Sequence, residues 1–346
     1  MISPVNPDWP GLLANLRRED TPERVFYFEH GIAKNIQSGG ADCYQLWQGI
    51  DESASDAPVR QTMAVHRFLG IELMRIFPAG GRIEAPRQNG SWAEEGRGSV
   101  ADWEEFERFP WPDPQAVDLT PMDQFEALAP DNMRAFHVLD IWEVVRDLMG
   151  FERFCLALYE DPALVHAMFE RVGGFAVAVA AVLCDYDFFG AVYIADDLGY
   201  KTGTMISPDQ IREYILPWHR RLANVAHQHG KLCFFHSCGK MYTLIDDYID
   251  DVGIDAKHSF EDVILPVTEA KLRYGDRLSL LGGIDVDFLA RSTPEAIASH
   301  TRGVLDVCQP GGGYCLGSGN WVTDYIPVDN YLAMLAAARE WSSQYI

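Results

Sequence analysis

Residues 231–260 read KLCFFHSCGKMYTLIDDYIDDVGIDAKHSF and contain two short apolar runs separated by a helical segment. Residues 231–235 predict a strand, residues 240–250 a helix, and residues 253–257 a second strand. Apolar strands that alternate with helices are typical of a parallel sheet that is buried on both faces. This stretch therefore predicts an α/β fold.

The same alternation extends in both directions along the chain. Six further apolar runs predict strands, at residues 25–29, 71–77, 134–139, 191–195, 278–284 and 313–317. Helices are predicted for residues 141–158, 162–184, 207–229, 266–274 and 293–307 and from residue 328 onward. A total of about eight strands predicts a (β/α)8 TIM barrel. The alternative is an open doubly wound sheet, which usually has a Gly-rich phosphate loop after its first strand, and the sequence contains no such loop.

No linker-like segment interrupts the chain, which predicts a single barrel domain over residues 1–346. Residues 30–125 are rich in Gly, Trp and acidic groups and do not follow the alternation of strands and helices. They predict an elaborated N-terminal loop region that covers one face of the barrel.

The composition argues against some classes of partner. Lys and Arg number 28 against 51 Asp and Glu, which gives a formal net charge of −23. A chain this acidic repels nucleic acid and anionic membranes, so neither is predicted as a partner. The N-terminus lacks a signal-peptide pattern, and the longest apolar run, residues 175–184, is about half the length of a membrane span. The seven cysteines are an odd number and favour reduced thiols, so the sequence predicts a cytoplasmic enzyme.

Reactive side chains follow the predicted strands repeatedly. In a TIM barrel, the catalytic residues lie on the loops after the carboxyl ends of the strands. The candidates at such positions are Asp196, Asp197, His236, Cys238, His258, Asp285, Cys315, Ser318 and Asn320. Because they belong to five different strand ends, they predict one functional site at the mouth of the barrel.

His236 and Cys238 are the most informative pair. Residues two apart in an extended strand share a face, so both side chains can reach one point. Imidazole and thiolate are zinc ligands, and a catalytic zinc has three protein ligands and one exchangeable position. Cys315 is the best candidate for the third ligand because Gly-rich segments flank it. The alternative is that His236 is a hydrogen-bonded core residue and that both cysteines are small buried hydrophobic residues.

The adjacent carboxylates of Asp196 and Asp197 point to opposite faces if the backbone is extended. One of them could then be a fourth ligand, a hydrogen-bond partner of His236 or a proton acceptor, while the other caps the loop. The alternative for each is a solvated loop acid, and His258 and Asp285 have similar structural alternatives. The remaining cysteines, at positions 43, 155, 184, 233 and 308, are interpreted as packing residues.

Four segments resemble the uroporphyrinogen decarboxylase superfamily. They are HSCGK (236–240), GDRLSLLGGIDVD (275–287), PGGGYCLGSGN (310–320) and IPVDNYLAMLAAARE (326–340). The His-x-Cys pattern with a distant Cys resembles the branch of cobamide-dependent methyltransferases. This resemblance implies that His236, Cys238 and Cys315 bind zinc, which holds a thiol substrate as thiolate for attack on the methyl group of a corrinoid protein. The sequence lacks the Arg-rich N-terminal motif of true uroporphyrinogen decarboxylases, so tetrapyrrole decarboxylation is not predicted.

The leading hypothesis is a zinc-dependent methyltransferase that moves a methyl group between a corrinoid carrier and a thiol or other small acceptor. Asp196, Asp197 and His258 are its catalytic candidates. Asp285, Ser318 and Asn320 are its substrate-binding candidates. A small corrinoid protein is the expected partner, with the acidic segment 90–113 as its contact, and the resemblance also implies a homodimer.

Two other hypotheses remain open. One is a metal-free lyase that decarboxylates a small acid, with Asp196, Asp197 or His258 as the general acid, and it requires activity to survive chelation. The other is a non-catalytic barrel that binds a corrinoid or another ligand. Substitution of Cys238 would then change an affinity and not a rate.

Overall fold

The computed structural model describes residues 5–84 and 96–343. Within them the strands are β1 (Leu73–Arg75), β2 (Arg134–Leu139), β3 (Phe189–Ala195), β4 (Leu232–His236), β5 (Ala256–His258), β6 (Ser279–Leu281) and β7 (Tyr314–Cys315). They form a seven-stranded sheet in which the strands follow chain order. The pairs β1–β2, β3–β4, β5–β6 and β6–β7 are parallel, and the strands are almost entirely buried. The predicted α/β fold with a parallel sheet is confirmed.

The chain forms two compact units. The first unit comprises Met1–Ile76, Pro121–Phe136 and Asp255–Ile346, and the second comprises Phe77–Thr120 and His137–Ile254. In the first unit, β1 pairs with β2 and β6 pairs with both β5 and β7. In the second unit, β3 pairs with β4 in a register that places Ala195 opposite His236. A single barrel domain over the whole chain stays a prediction.

The predicted strand at residues 25–29 forms only a short contact within the first unit. Tyr27 makes an isolated parallel bridge with Leu316. The Phe28 amide donates to the Leu316 carbonyl at 2.9 Å, and the Leu316 amide donates to the Phe26 carbonyl at 2.8 Å. This segment therefore lies beside the continuation of β7, as an eighth strand would, but the eight-stranded barrel itself stays a prediction.

The helices occupy most of the predicted positions. They are α1 (Trp9–Leu16), α2 (Lys34–Tyr44), α3 (Ala57–Leu69), α4 (Trp103–Arg108), α5 (Thr120–Leu128), α6 (Trp142–Met149), α7 (Phe151–Glu160), α8 (Pro162–Cys184), α9 (Pro208–Gln210), α10 (Leu216–Gln228), α11 (Val267–Tyr274), α12 (Val286–Arg291), α13 (Pro294–Cys308) and α14 (Val328–Ser343). The helix predicted at residues 240–250 is instead a 3-10 turn, Tyr242–Leu244, followed by a π-helical turn, Asp247–Val252. A second π-helical turn, Ile211–Ile215, joins α9 to α10.

The helical stretches predicted around residues 141–158 are two helices, α6 and α7, with a break between them. Gly150 lies at the break with a φ of +79°. A Cβ at this position would lie 2.0 Å from the carbonyl oxygen of Gly96. Glycine is required here because only it combines a left-handed backbone with so close an approach.

Residues 30–125 were predicted to be an elaborated loop region, and this is wrong in part. The described residues of this region contain the helices α2, α3 and α4, and α5 begins at its end, while the strand predicted at residues 71–77 is the shorter β1. Residues 85–95 lie outside the described part of the chain, and the predicted contact segment 90–113 falls partly on them.

In the described part of the chain, α8 is the one helix long and apolar enough to cross a membrane by length and composition. Of its most apolar window, 56% is buried inside the protein. A core helix of a soluble protein has the same properties, so α8 is weak evidence for a membrane span. Its start is capped by Asp161, whose side chain accepts from the Leu164 amide.

Candidate metal centre

The candidate centre lies in the second unit, where β3 and β4 end side by side. Ala195 and His236 are register partners, and the Asp196 amide donates to the His236 carbonyl at 3.1 Å. Beyond these strand ends, the backbone continues to Asp197 after β3 and to Cys238 after β4. The parallel pairing thus places the residues that follow both strands at one edge of the sheet.

Three donor groups converge here. His236 Nε2 lies 3.4 Å from Cys238 Sγ and 3.5 Å from Asp197 Oδ1. Within residues 5–84 and 96–343, these three residues form the one group of His, Cys, Asp or Glu whose ligand atoms all lie within 4.8 Å of one another. The Cys238 amide donates to Asp197 Oδ1 at 2.7 Å, so the backbone of one donor orients the carboxylate of another.

Two loops hold Cys238 in place. The Leu198 amide donates to Ser237 Oγ at 2.9 Å, and the Lys240 amide donates to the Tyr200 carbonyl at 2.7 Å. Between them lies Gly239, with a φ of +77°. A Cβ on Gly239 would lie 2.2 Å from the Gly199 carbonyl oxygen. Only glycine allows this close approach, which fixes the backbone next to Cys238.

The electrostatics of the site favour an ionised Asp197. Burial by itself would raise the pKa of this carboxyl. The hydrogen bond and positive charge of His236, together with the Cys238 amide, outweigh burial and lower the pKa of Asp197 to about 2. Nearby Glu143 shows the opposite result, because burial and the negative charge of Asp197 raise its pKa to about 8.

The donor set fits zinc. Zinc accepts His nitrogen, Cys sulfur and carboxylate oxygen, and tetrahedral coordination at ordinary bond lengths places N and S ligand atoms about 3.6 Å apart. The observed separation of 3.4 Å between His236 Nε2 and Cys238 Sγ is close to this value. Asp197 and Cys238 are partly exposed, so the group has access to solvent.

Asp196 points away from Asp197, as the alternation of an extended backbone predicts. Its carboxylate is fully buried and accepts the amides of Ile141, Trp142 and Glu143 at 2.9 to 3.1 Å. It also lies 2.7 Å from His219 Nε2. Burial would raise the pKa of Asp196, but the bond to His219 and these amides lower it. The carboxylate therefore caps the start of α6.

The other predicted site residues lie in the first unit. His258 Nε2 is 3.3 Å from the Ser318 carbonyl oxygen. The Asp285 carboxylate caps α12 by accepting the amides of Asp287 and Phe288. Ser318 Oγ is 2.8 Å from the carbonyl oxygen of the partly exposed Asn320.

Cys315, predicted as the third zinc ligand, also lies in the first unit. Its thiol is buried and lies 3.6 Å from Asn15 Nδ2. The Asn15 side chain also donates to the Tyr314 carbonyl at 2.8 Å, and the Asn15 carbonyl accepts from the Gly313 amide at 2.7 Å. These bonds place Asn15 at the amino end of β7. Burial raises the pKa of the Cys315 thiol well above its ordinary value.

The sequence reasoning missed Glu29, a buried carboxyl in the first unit. Its Oε2 lies 2.6 Å from Ser318 Oγ, and its Oε1 accepts the Ser318 amide and the Tyr331 hydroxyl. Ser318 has a single hydroxyl proton and lies close to two acceptors, Glu29 and the Asn320 carbonyl. A protonated Glu29 supplies the second proton, because its carboxyl then donates to Ser318 Oγ while the Ser318 hydroxyl donates to the Asn320 carbonyl. Consistently, burial raises the pKa of Glu29 to about 7.

We expect Glu29 to make stability depend on pH. Its folded pKa of about 7 exceeds the ordinary value of 4.5, so folding retains a proton that the unfolded chain releases. This contribution to stability is complete below pH 4.5 and is lost as the pH rises through 7. Relative to Glu29→Gln, the wild-type free energy of unfolding should fall by about 3 kcal/mol across this range. Urea unfolding of both proteins at a series of pH values measures the difference, and a difference that does not change with pH would contradict the prediction.

His219 and Tyr248 were also missed by the sequence reasoning. Both are fully buried, and both lie on helical segments that pack against the strands. Helical periodicity predicts that such residues face the core but not which strand end they reach. A polar residue on the apolar face of a predicted helix is the one signal that could have identified His219.

Comparison with known proteins agrees with the fold and with the resemblance of the motifs. A methylated-thiol–coenzyme M methyltransferase of Methanosarcina mazei is 30% identical over 200 residues, covering 57% of this chain and 50% of the relative. A uroporphyrinogen decarboxylase of Chromohalobacter salexigens is 28% identical over 197 residues, covering 54% of this chain and 52% of the relative. The chain thus spans about half the length of the curated relatives that it matches.

A solved structure of a methyltransferase from Methanosarcina mazei superposes with a TM-score of 0.69 at 17% identity and covers 96% of this chain and 98% of that one. This similarity shows a shared fold. The family model described as uroporphyrinogen decarboxylase (URO-D) matches residues 141–341, which include β3, β4 and all three donors of the candidate centre. The chain therefore belongs to the uroporphyrinogen decarboxylase (URO-D) family.

Proposed function

We propose that this protein is a cytoplasmic, zinc-dependent methyltransferase that moves a methyl group between a corrinoid carrier and a thiol or other small acceptor. The observation that carries the proposal is the convergence of Asp197, His236 and Cys238 at the ends of two adjacent strands. The similarity to a methyltransferase named for a methylated thiol and coenzyme M supports a thiol substrate.

In this proposal His236 and Cys238 hold the zinc ion, and the third protein ligand is either Asp197 or Cys315. Asp197 is supported by its distance of 3.5 Å from His236 Nε2, and Cys315 by the resemblance of its motif. A bound zinc ion supplies one chemical effect, which is to lower the pKa of a coordinated thiol so that it is nucleophilic at neutral pH.

The chain's own residues prepare the site for this chemistry. The Cys238 amide holds Asp197 Oδ1, and the low pKa of Asp197 keeps that carboxylate ionised and able to bind a cation. His258, Asp285, Ser318 and Asn320 are proposed to contact the substrate. Asp196 is proposed to act through position alone, since its carboxylate is buried and fully hydrogen-bonded.

The proposed partner is a corrinoid protein. Aromatic rings on and after α4 offer a surface for it, because Trp103 is 42% exposed and its ring centroid lies 5.6 Å from that of Phe106. Phe106 in turn packs against Trp111 at 5.4 Å. Partly exposed aromatic residues are enriched where proteins bind one another.

The test is methyl transfer from methylcobalamin to 2-mercaptoethanesulfonate and other small thiols. We expect thiol-dependent demethylation that falls at least about tenfold after chelation and returns when zinc is added. A protein that contains zinc but transfers no methyl group to any thiol would contradict the proposed activity.

The uroporphyrinogen decarboxylases among the relatives support a second candidate, a metal-free decarboxylase. Decarboxylation of a small acid that is unaffected by chelation and by Cys238→Ser would favour it. Its candidate general acids are Asp196 and His258, which are both buried, and Asp197, whose low pKa of about 2 counts against this role.

A further inference from the structure

The residues that directly precede two of the proposed ligands face the opposite side of the sheet. Asp196 precedes Asp197, and Phe235 precedes His236. Because side chains alternate along an extended backbone, Asp196 and Phe235 point to one side of the sheet and Asp197 and His236 to the other. Contacts that fix Asp196 and Phe235 therefore also fix the backbone of the two ligands.

His219 of α10 contacts this side of both strand ends. Its Nε2 lies 2.7 Å from Asp196 Oδ2, and its ring centroid lies 5.9 Å from that of Phe235. The second ring nitrogen, Nδ1, lies 2.8 Å from the Tyr248 hydroxyl. The ring of Tyr248 is stacked on Phe235, with centroids 3.9 Å apart and planes inclined by 11°.

The hydrogen bonds define the direction of this network. The Asp196 carboxylate accepts three backbone amides, and His219 donates to it from Nε2. The other ring nitrogen, Nδ1, faces the Tyr248 hydroxyl as its hydrogen-bond partner. His219, Tyr248 and Asp196 have no exposed surface, so water cannot replace a lost partner easily.

The helical segments that carry these residues are irregular. Tyr248 lies within the π-helical turn Asp247–Val252, and the π-helical turn Ile211–Ile215 directly precedes α10. Turns of this kind are rare in proteins. Those that occur often lie near functional sites, where they rotate side chains out of the regular helical pattern. Here they lie on both elements that supply partners to the strand ends.

We propose that His219 is a positioning residue for the metal centre, which holds Asp197 and His236 in place by fixing Asp196 and Phe235 from behind. The inference rests on the proposed metal centre for its role, but the network itself is independent of any metal. Removing His219 leaves the buried Asp196 carboxylate short of one donor and opens a gap against Phe235. Both changes release the strand ends that carry the ligands.

The test measures cobalt(II) binding and the visible absorption of the bound ion, which reports coordination geometry. We expect His219→Leu to raise the Kd for Co²⁺ about 10- to 100-fold, as is typical for loss of groups that orient ligands, and to change the spectrum. His219→Gln retains an N–H donor for Asp196 and should stay within about threefold of wild type.

A matched control separates position from stability. His66 is a buried histidine of α3 in the first unit, with Nδ1 2.9 Å from the Thr62 carbonyl oxygen. His66→Leu should lower the melting temperature but leave cobalt affinity and spectrum unchanged. If His219→Leu likewise lowered the melting temperature but left cobalt affinity and spectrum unchanged, the inference would be overturned.

Two further measurements keep the inference testable. Tyr248→Phe keeps the ring stacking and removes one hydrogen bond, so this variant should fold and raise the Kd for Co²⁺ about threefold or more. If His219→Leu does not fold, an unchanged Kd in Tyr248→Phe would overturn the inference. If the wild type binds no cobalt, the proposed metal centre fails. The alkylation rate of Cys238 in the metal-free protein then tests the positioning role of His219. That rate should change about threefold or more in His219→Leu, and an unchanged rate would contradict the positioning role.

Discussion

Replacing Cys238 with serine is expected to reduce bound zinc from about one ion per chain to less than about a tenth. A serine hydroxyl is a poor zinc ligand at neutral pH, since it remains protonated where a thiol is deprotonated by the metal. The variant should also lose thiol-dependent methyl transfer. Metal analysis of the purified protein after supply of zinc and removal of the free ion measures this loss.

The controls are other cysteines of the same chain. Cys184 is buried in α8, and burial raises its pKa to about 12, so Cys184→Ser should retain zinc.

The Cys315→Ser and Asp197→Asn variants decide which residue is the third ligand. Zinc that persists in Cys315→Ser and is lost in Asp197→Asn assigns the position to Asp197, and the reverse result assigns it to Cys315. A wild-type protein without zinc would contradict the whole metal proposal.

Local patterns in the sequence were sufficient to predict that two of the three donors, His236 and Cys238, meet. The spacing of His236 and Cys238 predicts that their side chains meet, because alternation is a property of each extended segment. The structure places their ligand atoms 3.4 Å apart. The divergence of Asp196 and Asp197 follows from the same rule. For the fold, the apolar runs predicted the buried strands β2, β3 and β4 nearly to the residue.

Features that depend on distant approaches could not be predicted in this way. Asp197 joins the group because β3 pairs with β4 in one particular register, which no local pattern specifies. The break at Gly150 depends on the approach of Gly96 from another part of the chain. For Cys315, the Gly-rich flanks favoured a role as third zinc ligand, but the contact with Asn15 arises from a residue 300 positions away.

Substituting Gly239 with alanine is expected to destabilise the second unit strongly. Its left-handed φ by itself costs an L-residue about 1 kcal/mol, and the added Cβ would lie 2.2 Å from the Gly199 carbonyl oxygen. The two loops must then separate, which breaks the bond between the Lys240 amide and the Tyr200 carbonyl. We expect the free energy of unfolding to fall by about 3 kcal/mol in total.

The same movement reaches the metal centre, because Gly239 is bonded directly to Cys238. A shift of the Cys238 backbone weakens its amide bond to Asp197 and moves the thiol away from His236, so the Kd for Co²⁺ should rise at least about tenfold. Gly230 provides the matched control, since it has a φ of +67° but nothing within 4 Å of an added Cβ. Gly230→Ala should cost about 1 kcal/mol and leave cobalt binding unchanged. Equal effects of the two substitutions on both stability and metal affinity would show that the contact between Gly239 and Gly199 does not hold the site, because backbone conformation is the one feature that the two glycines share.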